Sequence, residues 1–546
     1  MNIYDELNFE KAVRRIIKDK RDDPIHDVTQ YRDLLSKRQE IFEDLEVNLR
    51  DFRKYNSEYG QVTNIPKKGF TVRPAVQPEF IDRILYQALA DRFQELFVPE
   101  ENVYSNLANK SDSDYMFIDG VKSWIGFQNK IEENCRKYPY VIKTDLTAYF
   151  EHVNHKLLNS RIDDLFSKYV EKEYLDGYKI LLNKLLKRWG SPHLNEFSLP
   201  QINDPSSFFG NIYLDEIDKW LINNKITSVR YVDDIWIFVD SKPKAKKILC
   251  DLIVELRYIG LYVSSAKTDI LETAKVLENL ISRRFLLENI DDDLNSKDIE
   301  RIGIAANKIC DLFNQILDKK EDFDDRLFRY CINRFKKFAA SGICEFIHDI
   351  AIPQVISRLE FDPVSTDIYS DYLSMFPDDE LIQKIIIEFL LSENNIYPWQ
   401  EMHLLELLIR SNLSNENFKK ISYYLRDKSI NSHDHPITRK ALVLWGKNGS
   451  YADKREIRSL YSQKSELNDK RAILLAIQEM QEKERNNFYQ DQKGEKEINY
   501  CVDYIKSLNN PIYHYFNPPE GYDIFYDDSN IDDSDDLRDL GSGYFL

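Results

Sequence analysis

The chain has 546 residues, of which 42% are apolar and 31% are charged, and its formal net charge is −18 at pH 7. This length exceeds one domain and predicts roughly three, while the acidic balance is unusual for a nucleic-acid-binding protein. No apolar stretch approaches the ~20 residues of a membrane span, and no CxxC pair among the six cysteines suggests a zinc ribbon. We therefore expect a cytoplasmic protein with reduced thiols, no signal peptide and no membrane partner.

The residue pattern divides the chain into four predicted segments. Residues 1–58 are charged and helical, and residues 59–295 have a mixed α/β pattern. Residues 296–490 form successive amphipathic helices, and residues 491–546 are first aromatic and then acidic. These boundaries predict an N-terminal helical extension, a mixed α/β domain, a helical domain and a C-terminal segment.

The mixed segment contains a carboxylate at the end of a short strand. The apolar run Val141–Thr144 predicts the strand, and Asp145 follows it directly. Two aromatic residues, Tyr149 and Phe150, come next, and a helix is predicted to begin at His152. Two-metal phosphoryl transfer needs carboxylates from at least two chain segments, so Asp145 is a candidate for one part of such a centre.

A second carboxylate site lies near the middle of the chain. The β-branched and aromatic runs Ser228–Val232 and Ile235–Val239 predict two strands, and Asp233-Asp234 between them predicts a tight turn. Adjacent carboxylates repel each other unless a cation lies between them, and Mg²⁺ takes carboxylate oxygens while keeping room for phosphates. Asp145 and Asp233 would bridge two metal ions and Asp234 would complete the set. A solvated Asp-Asp turn is the alternative.

Strands nearly vanish from the pattern in the C-terminal half. Two helices there are alike, Ile437–Trp445 and Asn468–Ala476, with Arg439 and Arg471 in equivalent positions 32 residues apart. Repetition on this scale favours a HEAT-like α-solenoid, and a plain helical bundle stays open as the alternative. The predicted helices are Ile302–Leu317, Asp324–Phe338, Glu380–Leu391, Trp399–Ile409, Asn415–Leu425, Pro436–Trp445, Ala452–Tyr461 and Asp469–Met480.

Together the motifs of the mixed segment resemble those of reverse transcriptases. Asp145 with Phe150 is similar to motif A of that family, and Tyr231-Val232-Asp233-Asp234 is similar to motif C, YxDD. Further segments resemble the fingers, motif B and motif D in the family's order: Lys67–Ala75, Leu199–Asn211 and Gly260–Thr268. The resemblance covers roughly residues 60–290. It implies an α+β right-hand polymerase core (fingers and palm), here fused to an all-α HEAT-like repeat domain.

The resemblance also implies roles for single residues. Asp145, Asp233 and Asp234 would be the catalytic residues and would hold two Mg²⁺ ions. Phe150 would exclude a ribose 2′-hydroxyl, so that deoxynucleotides are preferred, and its alternative role is a core aromatic.

Four further side chains would contact the nucleotide. Arg73 would bind the incoming triphosphate, since a guanidinium suits phosphate oxygens, and Lys68 or Lys67 would add a point charge unless both belong to an exposed basic turn. Gln201 would position the nucleotide, or else serve as a buried structural amide. Lys267 would act as a general acid on the leaving pyrophosphate, although exposed lysines near strand ends are common.

One position departs from the family pattern. The glycine that follows the motif B glutamine is Ile202 in this chain. Glycine at that point lets backbone approach the primer–template closely, whereas isoleucine restricts the turn and fills the space. We therefore expect altered handling of primer and template.

A polymerase core joined to HEAT-like helices, with an altered motif B, is similar to the abortive-infection (Abi) and related defence-associated reverse transcriptases of bacteria. This resemblance implies an antiphage enzyme that adds dNTPs to a DNA product, either without a template or by copying a dedicated non-coding RNA. It also implies a homo-oligomer and a phage or host trigger. A retron-like or group II-like reverse transcriptase, or a defence scaffold that binds RNA or protein without essential catalysis, is the alternative.

The C-terminal segment suggests how synthesis begins. The chain has 33 tyrosines, and a tyrosine hydroxyl could prime synthesis in such enzymes. Tyr544 is the candidate priming residue, because it lies on an acidic tail (residues 520–546, net charge −8) of the kind that is usually solvated. Other candidates are Tyr513, Tyr515, Tyr522 and Tyr526.

Overall fold

The computed structural model describes residues 2–20, 23, 25–189, 196–296, 298–319, 323–341, 346–492 and 494–514. Within these ranges, strands and helices alternate up to Glu272 and only helices follow. This is the order that the sequence predicts. No helix in the described part of the chain is both long enough and apolar enough to cross a membrane.

Three helices precede the first strand: α1 (Phe9–Asp19), α2 (Arg32–Leu35) and α3 (Arg38–Leu49). Apolar residues three and four apart lie on one face of α3 and are buried there. α1 packs against α4 (Phe80–Gln94), where Arg15 forms a buried ion pair with Asp91 at 2.6 Å. The N-terminal segment is thus anchored on the first helix of the mixed domain.

A β-hairpin lies just before α4. Its strands are β1 (Gln61–Pro66) and β2 (Val72–Gln77), which pair antiparallel with Ile65 opposite Arg73. Gly69 (φ +79°) and Phe70 (φ +62°) form the turn in the left-handed region, which glycine adopts at little cost. We call this element the fingers hairpin.

A four-stranded antiparallel sheet forms the centre of the mixed domain. Its strands lie in the order β4 (Thr227–Tyr231), β5 (Asp234–Val239), β3 (Tyr140–Thr144) and β6 (Asp269–Glu272). The helices of this domain are α5 (Gly120–Cys135), α6 (Tyr149–His152), α7 (His155–Phe166), α8 (Lys172–Trp189), α9 (Asp204–Asn223), α10 (Lys242–Tyr258) and α11 (Thr273–Leu294).

Helices cover both faces of the sheet. Side chains alternate along a strand, so Trp236 and Phe238 point to one face and Ile235 and Ile237 to the other. The first face joins the hydrophobic core that includes α5 and the C-terminal helices, and the second joins the core that includes α9 and α10. The helical half therefore packs on one face of the same sheet that carries the motif residues.

Two local predictions in this domain need correction. The helix predicted from His152 is broken into α6 and α7, because Val153 is extended and the Asn154 side chain caps α7 by accepting from the backbone N–H groups of Lys156 and Leu157. The Asp-Asp turn is displaced by one residue: the turn consists of Val232 and Asp233, and Asp234 already pairs with Tyr231 as the first residue of β5.

Twelve helices form the rest of the described chain: α12 (Ile299–Asp318), α13 (Asp325–Ser341), α14 (Phe346–Arg358), α15 (Thr366–Leu373), α16 (Glu380–Leu390), α17 (Pro398–Arg410), α18 (Asn415–Asn431), α19 (His435–Asn448), α20 (Tyr451–Ser459), α21 (Leu467–Ala476), α22 (Glu482–Asp491) and α23 (Lys496–Ser507). All eight predicted helices are present, with ends that differ by up to six residues. Four of these helices, α14, α15, α22 and α23, are not among the predicted ones.

The two similar helices of the sequence are α19 and α21, which lie against each other. A Cβ atom on Gly446 would lie 2.2 Å from the carbonyl oxygen of Ala476, so this close approach requires glycine. Arg471 on α21 is buried and pairs with Asp27 at 2.6 Å and with Asp33 at 2.7 Å. We call Asp27, Asp33 and Arg471 the junction cluster, because it joins the helical half to the N-terminal segment.

Candidate active site

The Asp233–Asp234 hairpin is held by a buried arginine. The guanidinium of Arg230 donates to the carbonyl of Val232 at 2.8 Å, and Ser105 Oγ accepts from the Val232 N–H at 2.7 Å. Val232 has a φ of +53°, which is uncommon for a β-branched residue. These two hydrogen bonds hold the strained turn that presents Asp233.

Arg230 is itself fixed by two side chains of α9. It forms a bidentate ion pair with Asp218, with its shortest distance at 2.6 Å, and it donates to Asn211 Oδ1 at 3.1 Å. Asn211 also donates to the carbonyl of Ser105 at 3.0 Å. Asn211, a motif B residue, therefore supports the Asp233–Asp234 hairpin in this structure.

The sheet register brings Asp145 to the same place. Thr144 pairs with Ile235, so the next residues, Asp145 and Asp234, lie at adjacent strand ends. The carbonyl of Asp145 accepts from the Ser264 N–H at 2.7 Å, and its carboxylate pairs with Lys267 Nζ at 2.9 Å. Lys267 thus lies beside a catalytic candidate, as its motif D position suggests.

The three aspartates influence one another electrostatically. Burial, together with the charges of Asp145 and Asp234, raises the pKa of Asp233 to about 7. Burial and the charge of Asp145 raise the pKa of Asp234 to about 6, against the opposing effect of Lys143. The negative charge here is only partly compensated, which favours a bound cation.

The carboxylate oxygens of this site are suitable ligands for a divalent ion. Carboxylate oxygens from two chain segments are the hard ligands that Mg²⁺ prefers. In the described ranges, no three His, Cys, Asp or Glu side chains already converge as a metal cage. Asp145, Asp233 and Asp234 are therefore the residues that would hold the metal, supplemented by substrate phosphates.

The fingers hairpin brings cations to this site. Burial and the charge of Arg73 lower the pKa of Lys67, while the carboxylates of Glu151 and Asp233 raise it. Lys67 is therefore within reach of the charges of Arg73, Glu151 and Asp233. Lys68 is exposed, and it pairs with Asp325 of α13 at 3.2 Å. Of the two lysines that the sequence could not separate, Lys67 is the one at the site.

The two aromatic residues of motif A differ in their surroundings. Tyr149 is buried and donates to the carbonyl of Gly210 at 2.5 Å, so it has a packing role. Phe150 is half-buried next to it, with ring centroids 5.0 Å apart. A Cβ atom on Gly210 would lie 3.0 Å from the Tyr149 hydroxyl and 3.4 Å from the Phe150 ring, so glycine keeps both rings in place.

Motif B connects the site to the rest of the molecule. Gln201 is buried, and its Nε2 lies 3.4 Å from Glu151 Oε1. Ile202 adopts the left-handed backbone conformation (φ +61°) that its glycine counterpart would favour. Its side chain packs on the apolar cluster of Ile25, Ile65, Ala75, Trp399 and Met402, which joins the N-terminal segment, the fingers hairpin and α17.

Several residues of the site were not predicted from the sequence, and one predicted residue, Tyr544, lies outside the described part of the chain. Arg230 had a signal, because a charged residue inside an apolar strand needs a buried partner. Asp218, Ser105 and Glu151 had none, since they become neighbours only through the fold. Tyr544 lies outside the described residues, as do Tyr515, Tyr522 and Tyr526, whereas Tyr513 is described and donates to Glu479 at 3.0 Å.

Comparison with known proteins supports the interpretation of these motifs. Residues 65–286 match the family model for reverse transcriptase (RNA-dependent DNA polymerase). This range includes the turn and the second strand of the fingers hairpin, the four strands of the sheet and all five motifs. Residues 65–286 thus carry a reverse transcriptase domain, which confirms the predicted polymerase core joined to a helical region and the prediction of an enzyme that is an RNA-directed DNA polymerase, a nucleotidyltransferase. Such domains generally use divalent metal ions.

Solved structures give only a distant likeness, and a search of curated proteins finds no match. Apo telomerase from Candida tropicalis is 14% identical over 71% of this chain and 67% of its own, with a TM-score of 0.29. Telomerase from Candida albicans, in complex with a fragment of telomeric RNA, is 10% identical over 84% and 68%, with a TM-score of 0.28. These values are too low to carry an argument, so the assignment depends on the family model and the motifs.

Proposed function

We propose that the protein is a Mg²⁺-dependent DNA polymerase of bacterial antiphage defence, in which Asp145, Asp233 and Asp234 are the catalytic residues. The observation that carries the proposal is the convergence of three buried or half-buried carboxylates with cations from the fingers and from motif D, inside a reverse transcriptase domain. A scaffold that never transfers nucleotides has no need to keep such charges together.

The proposed reaction is nucleotide addition. A 3′-hydroxyl, or a tyrosine hydroxyl at initiation, attacks the α-phosphate of a dNTP, and pyrophosphate leaves. Divalent cations held by the aspartates would activate the attacking hydroxyl and stabilise the charge on the phosphates. The rest of the catalytic effect would come from positioning and electrostatic stabilisation.

The chain's own residues have distinct parts in this reaction. Arg73 and Lys67 bind the triphosphate from the fingers side, and Gln201 positions the nucleotide through its contact with motif A. Phe150 excludes a ribose 2′-hydroxyl. Lys267, which lies 2.9 Å from Asp145, donates a proton to the leaving pyrophosphate.

The biological setting of the proposal comes from the resemblance to Abi-like enzymes. The helical region, the substituted glycine of motif B and the abundance of tyrosine support a defence enzyme that is primed by a protein tyrosine, with Tyr544 as the candidate. We propose HEAT-like repeats for the helical half, an RNA that serves as template or companion, a homo-oligomeric assembly and a phage or host trigger.

Incubation of the purified protein with Mg²⁺ and labelled dNTPs tests the activity. Polymer that disappears with EDTA and consists of DNA supports the proposal, and sequencing of the product and of co-purified RNA distinguishes templated from untemplated synthesis. No incorporation under any primer or template condition, with protein whose fold is verified by circular dichroism, would overturn it.

Protein priming has its own test. DNA that stays attached to the protein after denaturation, and that mass spectrometry maps to Tyr544, supports priming by that residue. A product that partitions freely into the aqueous phase after denaturation contradicts protein priming but leaves the polymerase proposal intact.

A further inference from the structure

The helical half contacts the fingers hairpin at its open end. Arg439 of α19 is buried and donates to Gln61 Oε1 on β1. Two residues further along β1, Thr63 Oγ1 lies 3.5 Å from the carboxylate of Asp434, whose side chain caps the start of α19. α19 therefore binds the first strand of the hairpin through two polar contacts, and a buried guanidinium makes one of them.

The middle of the fingers hairpin is buried against α17. Ile65 of β1 and Ala75 of β2 share an apolar cluster with Trp399 and Met402, and each of these four residues is at most 5% exposed. Ile65 pairs with Arg73 in the antiparallel register. The contact with α17 thereby fixes the strand position at which Arg73 lies.

Two side chains of the helical half hold the turn of the fingers hairpin. Asp325, the first residue of α13, pairs with Lys68 Nζ at 3.2 Å. Tyr397, which directly precedes α17, donates its hydroxyl to the carbonyl of Phe70 at 3.2 Å. The two contacts lie on either side of Gly69, so the tip of the hairpin is tied to two different helices.

The fingers hairpin forms a sheet of its own, separate from the four-stranded sheet of the palm. A two-stranded hairpin is only marginally stable in water, so its position depends on the elements that pack against it. Loops that close over a substrate are held by few buried contacts, whereas this hairpin is held at its open end, its middle and its tip. The N-terminal segment adds a hydrogen bond from Gln77 to the carbonyl of Ile25 at 3.1 Å. The hairpin therefore depends on the helical half for most of its fixed position.

We propose that Asp325 and Tyr397 are positioning residues for the incoming nucleotide, because they fix the turn that carries Lys67. The backbone N–H of Lys67 donates to the carbonyl of Thr71 at 2.7 Å, so the conformation of the turn sets where this lysine lies. The inference rests on the proposed function, which assigns triphosphate binding to Lys67 and Arg73. It makes the affinity for dNTP depend on helices that lie outside the matched domain.

Two measurements on the double variant Asp325→Asn with Tyr397→Phe test the inference. Hydrogen exchange of the backbone amides of residues 61–77 is expected to be faster than in the wild type by about tenfold. Titration calorimetry with Mg²⁺ and α,β-methylene dATP, whose α–β bridge cannot be cleaved, is expected to show binding that is weaker by about tenfold. In turnover, KM for dNTP rises while kcat stays unchanged. Tyr451→Phe is the matched control, since it removes a tyrosine hydroxyl that contacts Glu484 elsewhere in the helical half.

Unchanged affinity for α,β-methylene dATP in the double variant would overturn the inference, whether or not exchange of the hairpin becomes faster. Weaker binding at unchanged exchange would also overturn it, because the two side chains would then contact the nucleotide themselves. If the double variant melts far below wild type, Tyr397→Phe alone, which removes one hydroxyl, decides by the same two measurements. Neither measurement needs turnover. A wild type that binds no α,β-methylene dATP overturns the proposed function, whereas a variant with wild-type affinity overturns only this inference.

Discussion

Two groups of carboxylates in this molecule, one at the palm and one at the junction cluster, have opposite electrostatics. At the palm, Asp233 and Asp234 have raised pKa values of about 7 and about 6, because burial and neighbouring carboxylates disfavour their charge. At the junction cluster, burial also acts on Asp27, but the charge and hydrogen bonds of Arg471 outweigh it and hold the pKa well below its ordinary value. The same residue type is thus left under-compensated in one place and fully paired in the other.

This difference in carboxylate pKa distinguishes the palm, the proposed reaction site, from the junction cluster, which joins two parts of the fold. A centre that must receive cations and phosphates keeps charge that the protein alone does not neutralise. A contact that only joins two parts of the fold satisfies each buried charge within the chain. Substitutions at the palm should therefore change catalysis more than stability, and substitutions at the junction should do the reverse.

The largest expected effect is on catalysis at the palm. Asp145→Asn keeps the shape of the side chain but removes one proposed metal ligand and the ion pair with Lys267. Incorporation of labelled dNTPs should fall by about 10³-fold or more, while circular dichroism stays unchanged. If Asp145→Asn keeps dNTP incorporation within tenfold of wild type, Asp145 is not one of the catalytic residues.

The next effect is on stability at the junction. Arg471→Met leaves Asp27 and Asp33 buried without their cation, so the free energy of unfolding should fall by about 3–5 kcal/mol in urea titrations. Lys496→Met is the control, because Lys496 pairs with Asp44 between the same two regions at the surface, and its loss should cost less than about 1 kcal/mol. Equal losses of unfolding free energy in Arg471→Met and Lys496→Met would contradict the view that the buried junction cluster contributes more to stability than a surface ion pair.

The junction effect should depend on pH in one direction. The pKa of Asp27 is lowered in the folded state, so its contribution to stability is present above its ordinary value of 3.8 and is lost as the pH falls. The difference in unfolding free energy between wild type and Arg471→Met should therefore narrow between about pH 5 and about pH 3. If the difference in unfolding free energy stays constant or widens as the pH falls, Asp27 is not the main partner of Arg471.

The smallest expected effect is on stability at Ile202, the motif B residue that packs against the N-terminal segment, the fingers hairpin and α17. Ile202→Gly loses apolar packing but relieves the left-handed backbone, whereas Ile202→Ala loses packing and keeps the strain. The free energy of unfolding of the Ile202→Ala variant should therefore be lower than that of the Ile202→Gly variant by about 1 kcal/mol, measured by thermal unfolding. The reverse order would mean that the strain at Ile202 is negligible.

Local patterns in the sequence predicted the strands and the motif order of the reverse transcriptase domain. The strands around Asp145 and Asp233 follow from short runs of β-branched residues, and the spacing of the motifs placed Arg73, Phe150, Gln201 and Lys267 in one domain. The turn was displaced by one residue because Val232 takes a positive φ, held by the Arg230 guanidinium that donates to its carbonyl and by Ser105 Oγ that accepts from its N–H, which no local pattern reveals.

Contacts between distant segments were beyond sequence reasoning. Lys67 and Lys68 are adjacent, and only the fold shows that the charge of Asp233 acts on the half-buried Lys67, whereas Lys68 is exposed and pairs with Asp325. α14 was not predicted, because it contains Pro353, a residue that normally ends helices.

The most direct test of the account is the melting temperature of Asp233→Asn without metal at about pH 8, compared with wild type and with Asp27→Asn. Because Asp233 is repelled by its neighbours, we predict that Asp233→Asn melts at or above the wild-type temperature and no longer gains stability from Mg²⁺, while Asp27→Asn melts lower. Asp233→Asn that melts several degrees below wild type, like Asp27→Asn, would contradict the claim that the palm aspartates keep uncompensated charge for their substrates.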